Sequence, residues 1–464
     1  MLRRALLVSV ALTGVIGSAD ASAARTTISV RGDVSAIALA GNTLIVARQP
    51  QNRGFRLERI TLGASTQTLL RLPRSSNETE VALAASAQAL AFSTQTDADD
   101  GFGGSHVYVG TPAGPLRDVA ACVAGSLLAP VAVSGARVAW REGGCSEPAG
   151  RPLRVGPVAI VIGGPDRASP LRRVAVGPDA LPASIALNGE TGFAGLLRPS
   201  FFSVNSEVRR LGVSALDETV AAEEGRIVAP AGVLSSGDGV FVLGALDEGE
   251  DETSTGCDST PFVLLAGSGQ RRTLSLGGCP IDTGFASAAT RVAGDRVYSL
   301  VAKPRNAKSG APPPVAFVSA RGDGGSGARV LVRGTYRPPR GIAVAESGRV
   351  AWWQRRCAGG MEIVIDDGAA ATAAATPSCR LKLLSRRARV RGSRIELKLR
   401  CPFGCSGEVV GRTRLPRVLG SFSFGRGTHS LRLRLRPSER RRSRLRLGFD
   451  VREGPARSAI IRLR

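Results

Sequence analysis

An all-β chain, a seven-bladed β-propeller followed by a small Arg-rich β-sandwich, is what three features of the 464-residue sequence predict. One hairpin pattern recurs seven times. Turn residues punctuate the chain throughout, with 57 Gly and 27 Pro. The charge balance then shifts abruptly near residue 380. Repeats are read first, because a fixed period constrains the fold before any single segment does.

The repeated pattern is a strand of small apolar residues, a turn, and a second strand carrying a bulky residue. The turns centre on Gly41, Ala87, Gly135, Gly189, Gly237, Gly294 and Gly348, at intervals of 46 to 57 residues. Six of the seven carry an aromatic shortly after the turn: Phe92, Trp140, Phe193, Phe241, Tyr298 and Trp352. Period-two alternation around a central glycine is the pattern of an antiparallel hairpin. A repeat near 50 residues has room for two further strands, and four strands per repeat make a propeller blade. A lone blade buries little, whereas radial stacking covers both of its faces. Residues 196–231 are poorly periodic, so the fourth and fifth blades are the least defined. Ring closure is expected to pair residues 26–30 with the last blade. The stretch 368–377 fits either a final strand or a linker, with the ring over 25–377 and the sandwich over 378–464.

The N-terminus reads as a signal peptide over residues 1–24. Arg3 and Arg4 precede an apolar run from 5 to 16, and Ala19, Ala21 and Ala23 supply small-x-small cleavage signals. That run is too short to span a bilayer. The mature chain is therefore expected to be soluble and exported: secreted, periplasmic or on the exterior of the cell envelope. Eight cysteines fit an oxidising compartment. Taken in order they fall 23, 22, 22 and 4 residues apart, which suggests Cys122–Cys145, Cys257–Cys279, Cys357–Cys379 and Cys401–Cys405. The paired C-x2-C spacing of a zinc site is absent.

On these residues the chain resembles secreted bacterial β-propeller proteins, broadly the WD-like and Tol-type superfamily, with an immunoglobulin-like domain following. The resemblance covers nearly the whole mature chain and implies fold, not function. The Trp-Asp dipeptide of WD repeats is missing. The stretch Asp97-Ala-Asp99-Asp100-Gly101 fails the D-x-D-x-D-G spacing of calcium-binding blades.

Residues 380–464 hold 25 Arg or Lys and 5 Asp or Glu, a net +20 out of +24 for the chain. Segments starting at Arg394, His429, Ser443 and Ser458 alternate leucine or isoleucine with arginine, the pattern of a half-buried antiparallel sheet. The charge can hold an anionic envelope polymer. Alternatively it reflects composition, since the chain has 58 Arg and 4 Lys. Nucleic acid is disfavoured, because bases need stacking platforms. The aromatics here are only Phe403, Phe422, Phe424 and Phe449, mostly expected in the core.

Chemistry is sparse. The expected channel-facing strands are almost purely small and apolar, with Arg291 and Glu346 as the charged exceptions. A lone Glu cannot serve as both acid and base. His106 and His429 fall in different domains. No G-x-S-x-G elbow, P-loop or dinucleotide fingerprint occurs. No catalytic residue and no cofactor are therefore assigned. Weak calcium candidates are Asp97, Asp99, Asp100, Asp247, Glu250 and Asp251, although solvated acidic loops explain them more simply. The tripeptides Arg31-Gly-Asp33 and Arg321-Gly-Asp323 are expected by chance in so Arg- and Gly-rich a chain.

Two functions fit. The first is an exported non-catalytic binding or scaffold protein, with a protein or polysaccharide partner at the propeller face. Its basic tail would contact the anionic cell envelope. The second is a propeller hydrolase or lyase acting on extracellular carbohydrate or peptide.

Overall fold

The structure is a computed structural model. It describes residues 25–464 apart from 50–53, 62–65, 73–78, 97–103, 123–128, 144–157, 167–170, 178–179, 200–203, 224–225, 236–238, 247–258, 266–267, 269, 282–288, 303–314, 324–327, 335–336, 368–373, 376–377 and 413–415. The expected signal peptide, residues 1–24, lies outside the described residues.

Among the described residues, seven antiparallel sheets precede the sandwich. The first holds Asp33–Ala40, Thr43–Gln49, Arg56–Thr61 and Thr66–Arg71, paired in that order. Six further sheets start from the inner strands Thr79–Ala85, Val131–Ser134, Leu181–Asn188, Arg226–Val233, Thr290–Ala293 and Gly341–Val344. Neighbouring inner strands touch in sequence order and the last touches the first, so the sheets form a closed ring. In the seventh sheet Val350–Arg355 and Met361–Asp366 follow the inner strand, and Thr26–Val30 completes it from the other end of the chain. Thr26 pairs with Ile365 and Val30 with Met361, the expected closure. Arg25 extends the join. Its Nε donates to Asp366 Oδ2 at 2.7 Å, and its guanidinium lies 5.6 Å from the Trp352 ring centroid.

A sheet with two apolar faces must cover both, and here seven apolar clusters fill the seven gaps between consecutive sheets. All six aromatics of the repeated pattern are buried in them. Phe92 and Trp140 pack toward the preceding sheet, and Phe193, Phe241 and Tyr298 toward the following one. The first two lie five residues past the turn position and the other three lie four, while Trp352, also four past, follows a longer loop over 345–349 and faces the preceding sheet. One residue reverses the face of a strand. Near the axis there is little room. A side chain at Gly232 would collide with Val292 of the next sheet, and one at Gly341 with Trp353.

The weak periodicity of the fourth and fifth repeats has a cause. β-Bulges interrupt the register at Pro182/Ser184, Val208/Arg209, Arg209/Leu211 and Pro230/Gly232. Each bulge shifts the alternation by one residue. The fifth inner strand starts at Arg226, well before the Val233 at which the sequence pattern begins. Of the stretch 368–377 only 374–375 are described. Its Ala374–Ala375 pairs in parallel with Arg329–Gly334, on the outer edge of the sixth sheet. Cys279 lies at the start of the sixth sheet. It begins the short strand Cys279–Pro280, which pairs with Arg296–Ala302.

The remaining strands form two sheets around one core. A three-stranded sheet contains Lys382–Leu383, Arg394–Cys401 and Gly427–Arg434. A five-stranded sheet runs Arg387–Ala388, Arg457–Leu463, Arg444–Val451, Cys405–Gly411, Arg417–Phe424. Along Arg394–Cys401, exposed and buried residues alternate without exception. Phe422 and Phe449 are in the core as expected. Phe403 is 55% exposed, because it stands in the tight turn closed by Cys401–Cys405, where no sheet face covers it. Phe424 is only half-buried and stacks on His429 at 4.7 Å between centroids.

Both units meet at the seventh sheet. The Cys357–Cys379 disulfide joins the turn after Val350–Arg355 to the sandwich core. Glu453 approaches Arg340 and Arg355 at 3.5 and 3.6 Å. Two of the expected pairings are therefore present, Cys357–Cys379 and Cys401–Cys405. Cys279 is disulfide-bonded as well. The expected pairings Cys122–Cys145 and Cys257–Cys279 each reach outside the described residues.

Replacing Cys357 and Cys379 with serine opens a loop with a sequence separation of 22. Loop entropy then predicts a loss of about 3 kcal/mol. Denaturant titration of the double variant beside the parent should show an earlier midpoint. An unchanged midpoint would mean that the bridge adds nothing to the packing it crosses.

Candidate functional site

A cavity of about 670 Å³ lies at the ring's axis, bordered by the inner strands. Among the described residues each of the seven inner strands pairs with a single neighbour and leaves its other edge free. Runs of consecutive residues border the cavity, such as 82–85, 131–134 and 183–188. Side chains alternate across a strand, so an unbroken run can border a cavity only through its backbone edge. The lining is therefore peptide N–H and C=O groups between small side chains. A sequence search for polar side chains misses these groups, because every residue carries them.

Two charged residues border the cavity, Arg291 and Glu346, the two singled out in the sequence. Arg291 lies on the sixth inner strand and donates through Nη1 to Thr290 O at 2.7 Å. Burial pushes its guanidinium down to about 10, which still leaves it charged at neutral pH. Glu346 is not on an inner strand. The seventh inner strand ends at Val344, and Glu346 stands exposed in the turn that follows. There its Oε1 accepts from the Gly135 amide of the third sheet at 3.3 Å, so the carboxylate reaches across one mouth of the channel.

The inner hairpin turns gather at this mouth and bond from sheet to sheet. Gly41, Gly135, Gly189, Gly294 and Gly348 all have φ between 54° and 81°, which explains glycine at the turn positions. Ser86 Oγ donates to Gly135 O at 2.5 Å and accepts from the amides of Gln88 and Ala89 at 3.1 and 3.0 Å. The Gly189 amide donates to Ser134 Oγ at 2.8 Å, and Asn188 Nδ2 to Leu234 O at 3.0 Å. Ser235 Oγ donates to Asp295 Oδ1 at 2.6 Å. Across the closure, Arg349 Nη1 donates to Asn42 Oδ1 at 2.7 Å.

The other sequence candidates do not converge on this channel. Asp97, Asp99, Asp100, Asp247, Glu250 and Asp251 lie outside the described residues. Among the described residues no group of three His, Cys, Asp or Glu could hold a metal ion. Arg321 and Asp323 of one tripeptide pair with each other at 3.2 Å. His106 Nδ1 lies 2.8 Å from Asp118 Oδ2 on the outer strands of the second sheet. The sequence hid this pair, because a bulge at Val107/Tyr108 sets the register that brings the two together. Among the described residues no hydroxyl or thiol bonds to that imidazole, so the pair lacks the nucleophile of a triad.

The sandwich presents its arginines in cross-strand register. Arg394 faces Arg434 on the three-stranded sheet, where Arg432 has Glu396 at 3.6 Å. On the five-stranded sheet Arg387, Arg462 and Arg444 stand in one row over three adjacent strands. All of these arginines are exposed. Like charges placed directly opposite each other destabilise a sheet.

No protein-family model matches the chain, and no curated protein matches it either. Solved structures similar to it include a β-propeller domain and peptidases. The β-propeller domain of the Trilobed protease from Pyrococcus furiosus shares 8% identity at a TM-score of 0.45, covering 72% of this chain and 95% of that one. A Mycobacterium tuberculosis puromycin-hydrolyzing peptidase shares 12% at 0.46, covering 80% and 59%. A protein assigned as TolB from Agrobacterium tumefaciens shares 12% at 0.31, covering 69% and 94%.

Ser86→Ala removes a donor and an acceptor that together serve three backbone groups of the turn ring. A loss of about 1–2 kcal/mol follows from leaving these groups unpaired. Chemical denaturation measures it, and a variant as stable as the parent would mean that solvent replaces the hydroxyl.

Proposed function

We propose that the chain is an exported, non-catalytic binding protein. The ring of sheets presents a site for a protein or polysaccharide partner at the channel and its open face. The Arg-rich sandwich holds the anionic cell envelope. The observation that carries this reading is the outward, cross-strand pairing of arginines in a segment of net charge +20. Such pairing costs stability until an anion lies between the guanidinium groups.

Other features support it. The disulfides belong to an oxidising compartment. No described helix is long and apolar enough to cross a membrane. Of the four phenylalanines of the sandwich only Phe403 is exposed, which offers nucleic-acid bases little to stack on. The second reading, a hydrolase or lyase, needs at least two converging groups. Among the described residues Glu346 is the one carboxylate that borders the cavity, and Asp295, in the turn ring at the same mouth, is held by Ser235 Oγ.

The test is co-sedimentation of the mature protein with purified cell envelopes over a salt series. The full mature chain is required, because a chain ending at residue 377 loses Cys379 and opens the core that Cys357 shares. The expected result is binding at low salt, release as salt rises, and displacement by a soluble polyanion. Absence of salt-releasable binding would refute the envelope role and move the search to the channel.

A further inference from the structure

The two outer faces of the sandwich differ, and one of them is built more selectively. On the five-stranded sheet, Arg387 pairs in register with Arg462, and Arg462 with Arg444. Their chain neighbours Ala388, Ile461 and Leu445 are buried, so the three guanidinium groups leave the same outer face. Adjacent strands set these side chains about 5 Å apart. Among the described residues none of the three has an ion-pair partner. Arg446 and the exposed Ile460 form the next row along the strands. At the far end of the face Glu408 stands directly opposite Asp450, about 20 Å from Arg444 at the usual rise per residue.

We propose that the Arg387–Arg462–Arg444 row is a binding site for a linear phosphate-bearing polymer, lying across the strands. This rests on the anionic-envelope reading above and narrows it to one face and one chemistry. A carboxylate is planar, with two oxygens that a single guanidinium fork can occupy. A phosphate group is tetrahedral and accepts forks from several directions, so three arginines side by side suit it better. The geometry also selects a polymer over a bilayer. A flat anionic surface laid on this sheet meets the arginine row and the Glu408–Asp450 pair together, and the acids repel it. A thin chain can lie along the row alone.

The experiment compares two triple variants of the full mature protein. R387S/R444S/R462S removes the row. R394S/R400S/R434S removes the same charge from the three-stranded face and leaves Arg432 with its Glu396 partner. The probes are long-chain inorganic polyphosphate, alginate as a polycarboxylate, and phosphatidylglycerol vesicles, each over a salt series. The row variant should lose at least tenfold in polyphosphate affinity, with a salt slope lower by about two to three. The control variant should lose several-fold less, and the parent should bind alginate and vesicles more weakly than polyphosphate. Both variants remove exposed like charges, so both should melt no lower than the parent. Polyphosphate should then raise the melting temperature of the parent and the control but not of the row variant. Equal losses in the two variants would overturn the proposal and leave the general anionic reading standing. Equal affinity for alginate, or vesicle binding as tight as polyphosphate binding, would overturn it too. If no probe binds the parent, both readings fall.

Discussion

The ring depends on one antiparallel join, Thr26–Val30 against Met361–Asp366. Five residues from one end of the fold complete a sheet made from the other end. Without them the seventh sheet loses its outer strand, and the cluster between the seventh and first sheets loses Val30. Arg25 strengthens the join through Asp366 and the Trp352 ring. Every other interface in the ring, apart from the packing of the seventh sheet on the first, is between sequence neighbours, so it forms from segments already close along the chain. This one cannot.

Radial packing imposes a second constraint, which explains the composition. Seven sheets converge on one axis, so the inner strands have room for Ala, Val and Gly, while larger residues sit further out. Gly232, against Val292 of the next sheet, marks one such close approach. The same crowding turns the inner strands edge-on to the channel. Their backbone lines it, and the charged exceptions Arg291 and Glu346 stand out against that background. Within the sandwich the constraint is reversed. Two small sheets share one core, and the other face of each is free to carry arginine.

Much of this architecture was legible because it repeats. Turn glycines at near-constant intervals, and an aromatic shortly after most of them, mark the inner hairpins, and their backbone angles explain the glycines. The alternation of leucine and arginine marked the sandwich for the same reason, a period of two on a half-buried sheet. Between residues 196 and 231 three bulges, at Val208/Arg209, Arg209/Leu211 and Pro230/Gly232, break the period in close succession, and there the reading failed. The site was harder. Glu346 was found but misplaced, since the seventh inner strand ends at Val344, two residues before it, and composition does not mark that end. The His106–Asp118 pair and the Arg387–Arg462–Arg444 row depend on cross-strand register, which a linear sequence does not display.

The closure also sets an order of events. The first strand of the ring to leave the ribosome is the last to find its partner, because Met361–Asp366 is made more than three hundred residues later. Contacts so distant in sequence form slowly, since loop closure precedes any gain from pairing. Until then the first strand is unpaired and the apolar face of the first sheet that meets the seventh is uncovered, and an unpaired edge invites association with other chains. The nascent ring is thus an aggregation hazard for most of its synthesis. Whatever carries it through that interval must shield the first and sixth sheets until the final strand arrives.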